Sequence, residues 1–175
     1  EWVWEAIKYA ASKDVLIVHA AGNDSKDIDT EPNFPTDEMN GTEIADNLLT
    51  IGALNYEYGS KLVADFSNYG AKNVDVFAPG VKIYATVPNN KYVFENGTSM
   101  ASPNAAGVAA LVRSYYPNLT ASQVKHILMD SGTSISSTVV VGEAKTQVPF
   151  STTCVSGKIV NAYNALLMAE QMSKK

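Results

Sequence analysis

The chain has 175 residues, 46% hydrophobic and 18% charged, with a formal net charge of -5 at pH 7, a composition that suits one folded domain and excludes extended disorder. Its acidic balance and scattered lysines leave no basic patch for phosphates, which excludes nucleic acid as a partner. No stretch approaches the ~18 to 20 apolar residues of a membrane helix, and the one cysteine, Cys154, has no disulfide partner and reads as a small hydrophobe.

The first residues follow a helical pattern that places Trp2, Ala6, Tyr9 and Ala10 on one face. Any export signal lies upstream of Glu1. Asp14 punctuates before Val15-Leu-Ile-Val-His-Ala20, an apolar run without alternation that predicts a strand covered on both faces, as in a parallel sheet. Residues 22 to 46 are acidic and rich in Pro and Asn, which predicts a long surface loop. Further strands are expected at Leu48–Leu54, at Val74–Phe77 and, after the turn Ala78-Pro79-Gly80, at Val81–Val87. The last two lack a helix between them, so the end of the sheet departs from strict βαβ alternation.

The strongest helix is expected from Ser99 to Tyr116, where Ala101, Ala105, Val108, Ala109 and Val112 recur at helical steps and Gly107 allows close packing. Almost no charge precedes Arg113, so this helix reads as buried. Pro117 stops it, and Thr120-Ala-Ser-Gln123 is a capping box for a helix through Asp130. The stretch from Gly132 to Ser156 reads as a β-hairpin or loop insertion. Asn161 then caps a final helix with Ala165, Leu166 and Ala169 inward. No repeat or linker divides the chain, so residues 1 to 175 form one α/β unit.

The chemistry concentrates in Gly97-Thr98-Ser99-Met100-Ala101-Ser102-Pro103. A serine in the first turn of a helix sits where unpaired N–H groups and the positive end of the dipole favour an anion, the place for an acyl-transfer nucleophile. Gly97 permits close backbone approach to a substrate carbonyl, and Pro103 costs little near a helix start. Taken alone, Ser99 also reads as a helix cap.

This string resembles that of the subtilases, the subtilisin-like serine peptidases, and other segments follow the family in order over residues 1 to 170. Ala20-Ala21-Gly22-Asn23 is similar to the oxyanion segment, Asn33-Phe34-Pro35 to the stretch near the specificity pocket, Ala78-Pro79-Gly80 to the strand-connecting turn, and Ser156-Gly-Lys-Ile-Val-Asn161 to the entry into the last helix. The resemblance implies a mostly parallel sheet with helices on both faces, incomplete here because its N-terminal strands are absent. It implies a serine endopeptidase in which Ser99 attacks the peptide carbonyl, while the Asn23 amide and the Ser99 N–H stabilise the oxyanion. Without Ser99, Asn23 reads equally well as a Gly-Asn turn residue.

The family's triad runs Asp, His, Ser along the chain, so the first two should precede Asn23. Only His19 and His126 exist; His19 reads as a buried strand residue with a satisfied ring, His126 as a helix-surface residue, and Asp24 as a loop residue. The chain therefore reads as the C-terminal half of a catalytic domain, inactive alone, whose partners are a peptide or protein substrate and the N-terminal half. An exposed edge at Val15–Ala20 would also pair with a second copy. No redox cofactor is required. Subtilases commonly hold structural calcium, for which the loop from Asp24 to Asp46 offers oxygen ligands; a solvated acidic loop is the other reading. Asn104 stands where the family often has His, at a position that is not catalytic, and Met100 would line the site and be open to oxidation. The family implies secretion or a cell-envelope location. Two rivals are a binding module that uses the scaffold without catalysis, and an α/β esterase, whose Gly-x-Ser-x-Gly is absent around Ser99.

Overall fold

The computed structural model describes residues 2–36, 38–39 and 42–174. Helix α1 (Trp2–Ser12) leads to strand β1 (Ile17–Ala20), and the long loop that follows carries the short strands β2 (Glu38–Met39) and β3 (Thr42–Glu43). Strands β4 (Leu48–Leu54) and β5 (Val76–Pro79) precede the pair β6 (Ile83–Val87) and β7 (Lys91–Glu95). Helices α2 (Thr98–Tyr115) and α3 (Ala121–Asp130) come next, then β8 (Thr133–Ser134), β9 (Thr138–Val141), β10 (Thr146–Pro149), β11 (Lys158–Ile159) and α4 (Ala162–Ser173).

The central sheet runs β1-β4-β5-β11-β8. Its first four strands are parallel and β8 is antiparallel to β11. Every residue of β4 is buried, as its apolar run, broken only by Thr50, requires of a strand between two layers. Side chains alternate across the sheet. Leu49, Ile51, Ala53, Val76 and Ala78 face a core built with α2, α3 and α4, whereas Leu54 and Phe77 face a second core closed by Ile28, Val139 and Phe150. Helix α1 is tied down by the Trp4 Nε1–H bond to Thr36 O at 2.8 Å. On the Phe77 face Gly52 is obligatory, because a Cβ on it would stand 2.4 Å from the Phe77 ring.

Four expectations need correction. Strand β1 begins at Ile17 rather than Val15 and is only half-buried, because it lies at the sheet edge with one neighbour. In α1 the buried residue is Ile7, while Trp2 and Tyr9 point outward, 86% and 66% exposed. Residues 83–87 leave the main sheet: positive φ at Asn89 and Asn90 folds them back on β7 as an antiparallel hairpin. Helix α2 buries one face only, and Gly107 lies on the exposed face with nothing within 4 Å of a Cβ placed on it. The capping box at Thr120 and Gln123 forms as expected, as do the Asn161 cap and the β9–β10 hairpin.

Candidate active site

The C-terminal end of β1 runs into Ala21-Gly22-Asn23, and α2 begins at Thr98 from a Gly97 N-cap that has no side chain to satisfy the first amides. In parallel α/β sheets this end of the strands is where ligands bind. Strand and helix are joined through Thr98. Its N–H and its hydroxyl both donate to Asn23 Oδ1 at 2.9 Å, and its Oγ1 accepts from the Gly22 N–H at 3.2 Å. With its oxygen taken twice, the Asn23 amide is left with only Nδ2 to offer outward.

That nitrogen converges with the helix N-terminus. A Cβ placed on Gly97 would stand 3.6 Å from Asn23 Nδ2, 3.6 Å from Ser99 N and 3.5 Å from Met100 Sδ. Neither nitrogen has a hydrogen-bond partner among the described residues. Gly97, at φ 156 and ψ 160, thus borders a small space faced by two free N–H donors at the positive end of an 18-residue helix. Ser99 is exposed beside this space, and its Oγ meets no base among the described residues. Asn104 is also exposed and donates from Nδ2 to Pro79 O at 2.9 Å.

The histidines lie elsewhere. Val18 packs toward the α2 core, so its neighbour His19 points to the opposite sheet face. There it lines a cavity of about 330 Å³ with Asp29, Asn33, Phe34, Thr50 and Asn73, which Ser99 does not reach. Its Nδ1 is buried with no hydrogen-bond partner, contrary to the expected satisfied ring, and burial pushes its pKa down. His126 sits on the exposed side of α3, 3.0 Å from Asp46 Oδ2. The Asn33-Phe34-Pro35 stretch borders the same cavity, with Phe34 75% exposed; Asn33 Nδ2 donates to Ala21 O at 3.2 Å.

Several carboxylates of the acidic loop have partners. Asp29 accepts from the N–H groups of Lys72 and Asn73 and from Asn73 Nδ2, and Glu31 lies 3.4 Å from Lys26 Nζ. Glu43 and Asp46 converge on Lys125, whose buried Nζ is 2.6 and 3.2 Å from them. Among the described residues no group of three or more His, Cys, Asp or Glu is placed to hold a metal ion. A lysine supplies positive charge beside Glu43 and Asp46.

Thr98, the clamp on Asn23, was readable only as part of the Ser99 string, since nothing in a sequence shows which side chain orients an amide 75 residues away. No helix among the described residues is long and apolar enough to cross a membrane.

Comparison with known proteins gives one answer. Subtilisin DY of Bacillus licheniformis is 37% identical over 140 residues, 79% of this chain and 47% of the relative. Subtilisin Savinase of Lederbergia lenta is 35% identical over 138 residues, 79% and 46% of the two chains. The chain thus spans about half the length of the curated relatives it matches. Among solved structures, the prenylagaramide maturation protease PagA superposes with a TM-score of 0.71 at 26% identity, covering 95% of this chain and 55% of the other. A protease from Pseudoalteromonas arctica PAMC 21717 gives 0.70 at 28%, covering 95% and 46%. The mostly parallel sheet flanked by helices is the subtilisin-like fold of those structures. Residues 1–159 match the Subtilase family, and the chain belongs to that family.

Proposed function

We propose that this chain is the C-terminal half of the catalytic domain of a serine endopeptidase, with Ser99 as nucleophile and Asn23 as oxyanion donor. The observation that carries the reading is the convergence of two unpartnered donors, Asn23 Nδ2 and Ser99 N–H, each 3.6 Å from one point beside Gly97. A carbonyl oxygen entering there about 0.5 to 0.9 Å closer to both nitrogens reaches bonding distance as its negative charge develops. Ser99 Oγ attacks the peptide carbonyl carbon, the tetrahedral intermediate expels the amine, and water hydrolyses the acyl-enzyme.

The hydroxyl needs a base to take its proton, and none of the described residues supplies one. The triad His and Asp belong to the N-terminal half, which pairs along the free edge of β1 and covers the exposed side of α1. The isolated chain is therefore inactive. Peptides or proteins are the substrates, and the complete enzyme is exported to the envelope or the medium, as the family relationship suggests.

The test is Asn23→Ala in the complete enzyme. It lowers kcat by about 10² to 10³, a magnitude measured on the oxyanion asparagine of a subtilisin, and leaves KM nearly unchanged. Ser99→Ala costs far more, and thermal unfolding stays unaltered in both. A rise in KM alone would make Asn23 a substrate-binding residue and end the oxyanion assignment.

A further inference from the structure

Asn68 is buried, 1% exposed, and lies in the segment between β4 and β5, far in sequence from the candidate site. Its side chain makes three bonds, all to the turn that carries Asn23. Nδ2 donates to Ala21 O at 2.8 Å, and Oδ1 accepts from the N–H groups of Asp24 at 3.0 Å and Lys26 at 2.9 Å. Its backbone N–H donates to Gly22 O at 3.0 Å. The chain on both sides of Asn23 is thus held by one residue whose hydrogen bonds go to its neighbours rather than to Asn23 itself. Gly22 (φ +100) completes the fit, because a Cβ there would stand 2.5 Å from Asn68 Nδ2.

The anchor is itself anchored. Ser67 Oγ donates to Asn68 O at 2.9 Å and accepts from the Ala53 N–H at 2.9 Å, which fixes Asn68 to the fully buried strand β4. Asn23 therefore has two independent supports: Thr98 sets the rotation of its amide, and Asn68 sets the position of the backbone from which that amide hangs. Oxyanion stabilisation demands donors placed in advance, and displacement by about 1 Å can cost ~10²-fold in rate.

We infer that Asn68 is a positioning residue that fixes the Gly22-Asn23-Asp24 turn and through it the oxyanion donor. The inference rests on the reading of Asn23 given above. Its test uses the complete protease, with active sites counted by a phosphonylating probe so that misfolded molecules do not dilute kcat. Asn68→Ala lowers kcat per titrated site by about 10- to 100-fold, with KM changed less than about 3-fold. In the Asn23→Ala background the same substitution costs less than about 3-fold more, because the group it positions is gone. Asn68→Asp keeps the acceptor for Asp24 and Lys26 but loses the donor to Ala21 O, and it lowers kcat by a smaller factor. This isosteric variant carries the test if Asn68→Ala does not fold.

A purely structural role gives a different pattern, namely fewer titratable sites with kcat per site unchanged, or equal losses in both backgrounds. Either result overturns the inference. If Asn23→Ala itself leaves kcat intact, the oxyanion reading fails instead, and the two failures are told apart by that one single-site variant.

Discussion

Gly97→Ala in the complete enzyme probes the space beside Ser99 without replacing either donor. Its methyl group would stand 3.6 Å from Asn23 Nδ2 and from Ser99 N and 3.5 Å from Met100 Sδ, ordinary contact distances that force no neighbour aside. The site is therefore filled rather than broken, and a carbonyl oxygen can no longer enter between the donors. Loss of one such donor costs about 2.7 to 4 kcal/mol of transition-state stabilisation. Exclusion from both costs more than one and, because paired donors are not additive, less than twice that. At 1.36 kcal/mol per tenfold, kcat/KM for a chromogenic peptide amide falls by about 10³ to 10⁴. The backbone at φ 156 and ψ 160 is essentially a glycine conformation, so the variant also loses about 1 to 3 kcal/mol of stability, read from its Tm. Gly107→Ala is the control in this chain: its Cβ meets open space, and the helix gains roughly 0.5 to 1 kcal/mol. A folded Gly97→Ala enzyme with kcat/KM within threefold of the parent would refute the placement of the oxyanion.

Two further outcomes follow from the fold. Asp14 accepts from the Ala121 N–H at 2.6 Å and pairs with Arg113, and these partners hold its carboxyl below the usual carboxylate range. Its contribution is complete above the ordinary unfolded pKa and is lost as pH falls through the depressed folded value. Asp14→Asn therefore flattens the acid limb of a stability-against-pH curve, by less than about 1 kcal/mol because the pair is solvent-screened; an unchanged limb rejects the assignment. The free edge of β1 makes the isolated chain self-associate at micromolar concentration, and light scattering that finds a stable monomer counts against pairing at that edge.

What the sequence disclosed was whatever local pattern determines. Leu48–Leu54 is a strand end to end because a seven-residue run, apolar but for Thr50, lies buried between two cores, and the Thr120–Gln123 box caps α3 through contacts three residues apart. The helix start beside Ser99 and the turn at Asn23 after a strand were legible through the strings around them. Failures came where a partner outside the local segment decides. The face that α1 buries is set by the Trp4 bond to Thr36 and by Ile7, not by the larger apolar stripe of Trp2 and Tyr9. The β6–β7 hairpin is signalled by Asn89-Asn90, a pair that tolerates positive φ, but the alternating run before it does not show whether its strand stays in the main sheet or leaves it. Lys125 and Asn68 carried no signal, since a buried ammonium among loop carboxylates and an amide that ties down a distant turn are products of tertiary packing.

A fluorophosphonate probe with peptide mapping tests whether Ser99 is a nucleophile whose base comes from the other half of the domain. The complete enzyme is labelled at Ser99, and this chain alone stays unlabelled over the same time, since loss of the triad His from a subtilisin costs about 10⁶ in turnover. Rapid labelling of the isolated chain, or a complete enzyme that reacts at any residue other than Ser99, would contradict that assignment.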